Sequence, residues 1–300
     1  MFTKIKHVLL KKLFRFFESM GIHILPVHFY SPIPDTRLYK KKPELWKAKS
    51  PLYGIEMNTE GQLALVEEIY NKYYTEYKDI PLNKTGNSLE YYLNNSSFGF
   101  MSGQMHYGLI RHLKPKRYIE IGSGFSTLIS LRAFNENLMS NNKVSFTAIE
   151  PYPPDFLNEI REPYFQLDKN KLEDTDLTVF DSLEKGDMLF IDSTHVAKFG
   201  SDVNYYMFQI LPRIKPGVLV HIHDIQFPFD YHASYMFNSH YFWNEQYMVQ
   251  AFLMYNSAFH IYWCASFMVS EHAELMKKYF PHFDEKRIPT SLYIIKNSNG

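Results

Sequence analysis

The sequence predicts an α/β fold: a mostly parallel sheet with helices on both faces, preceded by a helical and irregular extension. Three observations predict it. Tyr118–Thr127 reads Tyr-Ile-Glu-Ile-Gly-Ser-Gly-Phe-Ser-Thr, a short apolar strand, a glycine turn and the start of a helix. From residue 143 onward, short apolar runs alternate with segments of helical period, which is the pattern of βα units. The first hundred residues lack that alternation and are instead rich in proline, aromatics and basic charge.

Composition sets the bounds. The 300 residues suffice for one large domain with an extension, and 45% hydrophobic and 17% aromatic residues supply a substantial core. Lys plus Arg equals Asp plus Glu at 32 each, so whole-chain charge gives no reason to expect nucleic acid. The single Cys264 excludes an internal disulfide framework and suits a reducing, cytoplasmic compartment. It sits in an apolar run, where an inert buried thiol is expected. No apolar stretch reaches the roughly 18 residues of a membrane span.

The elements follow in order. Ile5–Met20 is an amphipathic helix, with Val8, Leu9, Leu13, Phe16, Phe17 and Met20 at helical spacing and Lys4, Lys6, Lys11, Lys12 and Arg15 as its basic charge. Lys11-Lys12 interrupts the apolar region, which argues against a signal peptide. Two readings stand for this helix: peripheral contact with a membrane surface, or docking on the body or on a second copy of the chain. Pro26–Pro51 carries too many aromatics for a solvated linker and reads as an ordered arm. Met57–Tyr77 and Gln104–His112 read as helices. Between them, the glycine- and serine-rich Asn94–Gly103 is either a lid over a ligand or an ordinary loop. The expected division is 1–103 as the extension with arm and lid, and 104–300 as the sheet domain.

Within the sheet domain the first strand and its turn are followed by a helix over Leu128–Asn135, with Ser126 and Thr127 as its caps. Expected strands then fall at Lys143–Glu150, Phe165–Leu172, Met188–Ile191, Val218–Ile222, Phe259–Val269 and Ser291–Lys296. Helices are expected at Asp155–Arg161, Val203–Ile214, Trp243–Tyr255 and Glu271–Tyr279. In a parallel sheet, ligands gather beyond the carboxyl ends of the strands. Asp192, His195, His223 and Asp224 therefore belong at one edge with Gly122 and Glu150.

The turn decides the ligand class. Gly122 and Gly124 let the backbone approach a ligand closely, and a helix N-terminus follows. Glu120, two residues before the first glycine, would repel a pyrophosphate at close range and suits a cationic ligand. The segment Glu120-x-Gly122-x-Gly124 resembles the first motif of the class I S-adenosylmethionine-dependent methyltransferases, whose cofactor carries a sulfonium and an ammonium. Ile149-Glu150-Pro151 is similar to their second motif, which places a ribose-binding acid at Glu150. The resemblance covers about Gln104–Asn297. It implies a Rossmann-like sheet of seven strands with the last antiparallel. It also implies cofactor contacts from Glu120, Gly122, Ser123, Gly124, Ser126, Thr127, Glu150 and Asp192, and an adenine contact from Glu173 or Asp174, of which Asp174 is chosen.

Asp192-x-x-His195 and His223-Asp224 resemble the metal-dependent sugar O-methyltransferases of the macrocin O-methyltransferase kind. That likeness implies His195 as general base, with Asp192 beside it, and Asp192, His223 and Asp224 around Mg²⁺ or another divalent metal. His223 stands where an acid is usual, and imidazole favours softer metals. The implied activity is O-methylation of a sugar, glycan or other small hydroxylated molecule, with homo-oligomerisation open. Two other classes remain: a nicotinamide-dependent oxidoreductase with an altered turn, and a non-catalytic binding protein that kept the fold.

Overall fold

The computed structural model describes residues 2–140, 143–284 and 286–298, with side chains from residue 9 onward. The side chains of Lys4, Lys6 and Val8 in the expected basic helix lie outside the described residues. The chain forms two compact units, residues 1–48 with 232–242, and residues 49–231 with 243–300.

The smaller unit holds α1 (Phe2–Glu18), the short helices α2 (Thr36–Tyr39) and α3 (Glu44–Lys47), and α9 (Ala233–Phe237). Trp46 meets Phe237 edge-on at 5.1 Å. Asp35 caps α2 by accepting from the Arg37 amide, and a two-pronged bond from the Arg37 guanidinium fixes it further.

The larger unit runs α4 (Thr59–Tyr77), α5 (Phe100–Leu113), β1 (Arg117–Ile121), α6 (Phe125–Leu138), β2 (Ser145–Ile149), β3 (Phe165–Asp168), α7 (Thr178–Asp181), β4 (Met188–Ile191), α8 (Asp202–Tyr205), β5 (Leu219–Ile222), α10 (Glu245–Leu253), β6 (Phe259–Cys264), α11 (Ala265–Tyr279) and β7 (Leu292–Lys296). The strands form one sheet in the order β3-β2-β1-β4-β5-β7-β6. All neighbours are parallel except β7, which runs antiparallel to both β5 and β6. This is the Rossmann-like order, and it sets the strand reversal between β1 and β4 beside the glycine turn.

Alternation along the strands separates two cores. Tyr118, Phe146, Phe190 and Tyr293 face α4, α5, α6 and α11, packing with Ile69, Met105, Phe134 and Met268. Ile119, Ile149, Leu189, Ile191 and Val220 face the other way, against Val203, Met207 and Val249. With both faces covered, the central strands β4 and β5 are buried at every residue.

Several elements depart from the sequence expectation. α5 begins at Phe100, inside the stretch read as a candidate lid. The rest of that stretch is pinned: the Asn95 side chain accepts from the Ser97 and Phe98 amides, and Tyr91 donates its hydroxyl to the Phe98 carbonyl. Phe98 and Met101 are buried, so this part of Asn94–Gly103 is packed against the body of the larger unit. The apolar run from Phe259 turns from strand to helix at Ala265, where a last ladder bond runs from the Ala265 amide to the Ser291 carbonyl. Asp155–Glu159 is a tighter 3₁₀ turn, and Tyr206–Ile210 continues α8 as a π-helical turn.

Candidate functional site

The site starts at the turn after β1. Gly122 has φ +76°, and a Cβ there would stand 1.9 Å from the Asp192 carbonyl oxygen. Only glycine fits, because the turn crosses directly over the end of β4. A Cβ at Gly124 would meet nothing within 4 Å. Glu120 is fully buried, and it does not point into open space. Its two oxygens accept from the hydroxyls of Ser126 at 2.5 Å and Thr127 at 2.8 Å. Thr127 Oγ1 in turn accepts from the Gly124 amide at 3.1 Å. Thr127 at N3 of α6 thus caps the helix through the Gly124 amide, as expected, while Ser126 lies within the first turn and both hydroxyls also turn to Glu120. Burial pushes the Glu120 carboxyl up to about 8, against the hydrogen bonds from Ser126 and Thr127. These three residues stiffen the turn from within.

The open side of the turn faces a cleft of about 500 Å³ lined by Gly122, Glu150, Tyr152, Glu173, Asp192 and Ser193, among others. Glu150 is set by two backbone amides, Ser123 at 3.2 Å and Tyr152 at 2.7 Å. Glu173 lines the cleft and Asp174, the residue chosen from the sequence, does not. The 3₁₀ turn Leu172–Asp174 directs the two neighbouring side chains apart. An acid at the end of β2, space beyond Gly124, and a Ser123 hydroxyl buried with no partner among the described residues fit a nucleoside-bearing cofactor laid along this edge.

Asp192 links the cleft to a second group. Asp192, His195 and Asp224 present ligand atoms within 4.8 Å of one another. His195 Nε2 lies 3.3 Å from Asp192 and 3.4 Å from Asp224. Its Nδ1 is 2.7 Å from Glu245, a fully buried carboxylate on α10. Glu245 also accepts from Ser193 and Tyr206, each at 2.6 Å. Asp224 accepts from Thr290 at 2.9 Å. Both His195 and Asp224 adopt left-handed backbone conformations, φ +60° and +56°. Such non-glycine strain, on the order of 1 kcal/mol each, persists where surrounding structure enforces it and gathers at functional sites. The Trp243 ring lies 4.3 Å from the His195 ring.

Charge explains the electrostatics. Burial opposes a charge on His195, but hydrogen bonds to Asp192 and Glu245 outweigh it and hold the imidazole well above its usual value. Burial likewise opposes the Asp192 charge, while His195 and His223 hold that carboxyl below its usual range. Three carboxylates around one imidazole leave a surplus of negative charge, which a divalent cation would offset. Asp192 and Asp224 fit one as two carboxylates for a hard ion, and beside them stands an imidazole whose Nδ1 is fixed by a buried acid. His223, expected as a ligand, is outside this group. Its Nε2 lies 4.0 Å from Asp224, and its ring packs against Phe98 and His221.

Glu245 and Trp243 had no signal in the sequence. Glu245 opens α10 and Trp243 lies just before it, fifty and 48 residues after His195, and only the fold brings them there.

The comparisons agree with this architecture. Residues 119–225 match the model of a family described as a methyltransferase domain. An Archaeoglobus fulgidus protein named only "Uncharacterized protein" is 32% identical over 191 residues, spanning 62% of this chain and 85% of its own. The chain belongs to the family of that archaeal protein, and its sheet domain contains the match to the methyltransferase domain. Among solved structures, SAH-bound methyltransferase PaMTH1 of Podospora anserina is 15% identical with a TM-score of 0.42, covering 92% of this chain and 99% of its own. The MycE methyltransferase from the mycinamycin biosynthetic pathway, in complex with Mg and SAH, is 14% identical with a TM-score of 0.36, covering 78% of this chain and 55% of its own. At that distance neither carries its ligands over to this chain.

Proposed function

We propose that the protein transfers the methyl group of S-adenosylmethionine to a hydroxyl oxygen of a sugar, glycan or other small hydroxylated acceptor, assisted by a divalent cation. One observation carries the reading: Asp192 both lines the cofactor cleft and stands 3.3 Å from an imidazole whose orientation a buried acid fixes.

S-adenosylmethionine supplies an electrophilic methyl, and a cation polarises the acceptor oxygens and lowers the hydroxyl pKa. The chain does the rest. Glu150 accepts the ribose hydroxyls, and the turn at Gly122 and Gly124 admits the methionine end. Asp192 and Asp224 would hold the cation. Glu245 takes the Nδ1 proton of His195 as a hydrogen bond, which leaves the Nε2 lone pair for the acceptor's proton. A cation held by the two aspartates would take Asp192 and Asp224 from His195 Nε2 while Glu245 keeps Nδ1, and Nε2 would then be open to take the acceptor's proton as general base.

The test is methyl transfer from labelled cofactor into a panel of sugars and phenols, with and without chelator. Product that falls with chelator and returns with Mg²⁺ or Mn²⁺ is expected. Full turnover in chelator removes the cation from the mechanism. Transfer to nitrogen or carbon acceptors alone overturns the O-methyl assignment.

A further inference from the structure

The smaller unit carries a surface that the methyltransferase chemistry does not use. On α1, Leu9, Leu13 and Phe16 follow one another at i, i+4 and i+7, and Met20 extends the row past the helix end. A helix needs only one apolar side for its own packing, and Leu10, Phe14 and Phe17 supply that side, half-buried. Phe14 stacks on His23 there. The other row stays in solvent, with Leu9 57% and Phe16 61% exposed. The chain after the helix continues the pattern: Ile22, Leu25 and Val27 are exposed, and Phe29 and Tyr30 are 87% and 80% so. A run of large apolar side chains in water over some twenty consecutive residues signals a surface that is covered in use.

The charges identify the cover. Lys12 lies one helical turn from both Leu9 and Phe16, and Lys11 and Arg15 stack beside each other on the flank. Lys11, Lys12 and Arg15 face only Glu18 among the acids of residues 9–30. The whole chain is balanced at 32 against 32, so this basic excess is local and not a general property of the protein. A second copy of the same surface would bring these cations together along the apolar seam, which costs energy. An anionic bilayer supplies what the surface lacks: hydrocarbon for Leu9, Leu13 and Phe16, and phosphates for the lysines. No helix among the described residues is long and apolar enough to cross a membrane. The helix therefore lies on the surface and does not span it.

We infer that α1 and the arm behind it dock the protein on anionic lipid bilayers. The inference is independent of the methyl-transfer reading, since it uses no residue of the cleft or the strand-edge cluster.

The experiment is co-sedimentation of the full-length protein with vesicles of phosphatidylcholine alone and of phosphatidylcholine with an equal part of phosphatidylserine. Partitioning into the anionic vesicles should exceed that into neutral ones by about tenfold or more, and should fall as salt screens the lysines. Leu13→Glu with Phe16→Glu should reduce it to background. Lys11→Glu with Lys12→Glu should remove the preference for anionic lipid. All four positions are exposed, so the melting temperature and cofactor affinity of both variants should match the parent. Equal pelleting with and without anionic vesicles overturns the inference. So does a concentration-dependent dimer that Phe16→Glu dissolves while vesicles have no effect, because the cover is then a second copy.

Discussion

Glu120 and Glu245 are both carboxylates with no solvent exposure, at neighbouring places in one site, and they are held in opposite ways. Glu120 is satisfied by Ser126 and Thr127, six and seven residues further along the chain. Glu245 is satisfied by Tyr206, His195 and Ser193, which lie 39, 50 and 52 residues before it. The first pairing stiffens a turn that local sequence already dictates. The second fastens a histidine to a helix from elsewhere in the fold and so organises the chemistry. A buried acid with local partners is a structural device, whereas one with distant partners couples the site to global packing.

The turn is the place to break the first half of that comparison. Gly124→Val should abolish S-adenosylmethionine binding in a calorimetric titration while leaving the melting curve intact, because the space beyond residue 124 is open in the protein itself. Gly122→Ala should do the reverse first. Its Cβ meets the Asp192 carbonyl and its φ is positive, so stability should fall by on the order of 1–3 kcal/mol or more before binding is considered. If Gly124→Val binds the cofactor normally, the space beyond Gly124 does not hold the methionine end.

The strand-edge cluster bears the second half. His195→Ala should lower turnover by roughly 10²–10⁴-fold, the range for a general base, with cofactor affinity little changed. Glu245→Gln should have a smaller effect on turnover, about 10–100-fold, since it orients the base without replacing it. A Glu245→Gln protein that melts as the parent does but shows a shifted pH profile of turnover supports the orienting role. An unchanged turnover and pH profile would show that Glu245 serves packing alone.

The same contrast explains what the sequence made legible. β4 was readable to the residue, because four apolar residues between Asp187 and Asp192 leave no other choice. The glycine turn, Glu150 and the convergence of Asp192, His195 and Asp224 were readable because each ends a strand, and parallel strands share one edge. The α5 start was not, since its N-cap is Gly99 with no side chain to announce it. Ser126 and Thr127 looked like caps because hydroxyls before an apolar run usually are. Thr127 does cap, through the Gly124 amide, and burial of Glu120 gives both hydroxyls a further partner. His223 looked like a ligand because it neighbours Asp224, but its ring packs against Phe98 and His221 and stands 4.0 Å from Asp224. Glu245 was invisible, since no local pattern marks a glutamate in the first turn of a helix as the partner of a histidine fifty residues away.

The gentlest test asks whether Glu120 is the self-contained device described. Its carboxyl titrates near 8 in the folded protein, raised from an ordinary 4.5 chiefly by burial. Between those values the folded state holds a proton that the unfolded state has released. The stability that Glu120 contributes is therefore fully present below about pH 4.5 and is lost as pH rises through about 8. Between about pH 5 and about pH 7 the loss should be on the order of 1–3 kcal/mol, read as a fall of a few degrees in melting temperature. Glu120→Gln is neutral at every pH and still meets the Ser126 and Thr127 hydroxyls, so its melting temperature should lose that slope. Its turnover, measured at saturating cofactor, should stay within a few-fold of the parent, because Glu120 does not line the cleft. A Glu120→Gln protein that keeps the parental slope would place the titration elsewhere. One that folds normally but loses cofactor affinity would return Glu120 to direct contact with the cofactor and erase its contrast with Glu245.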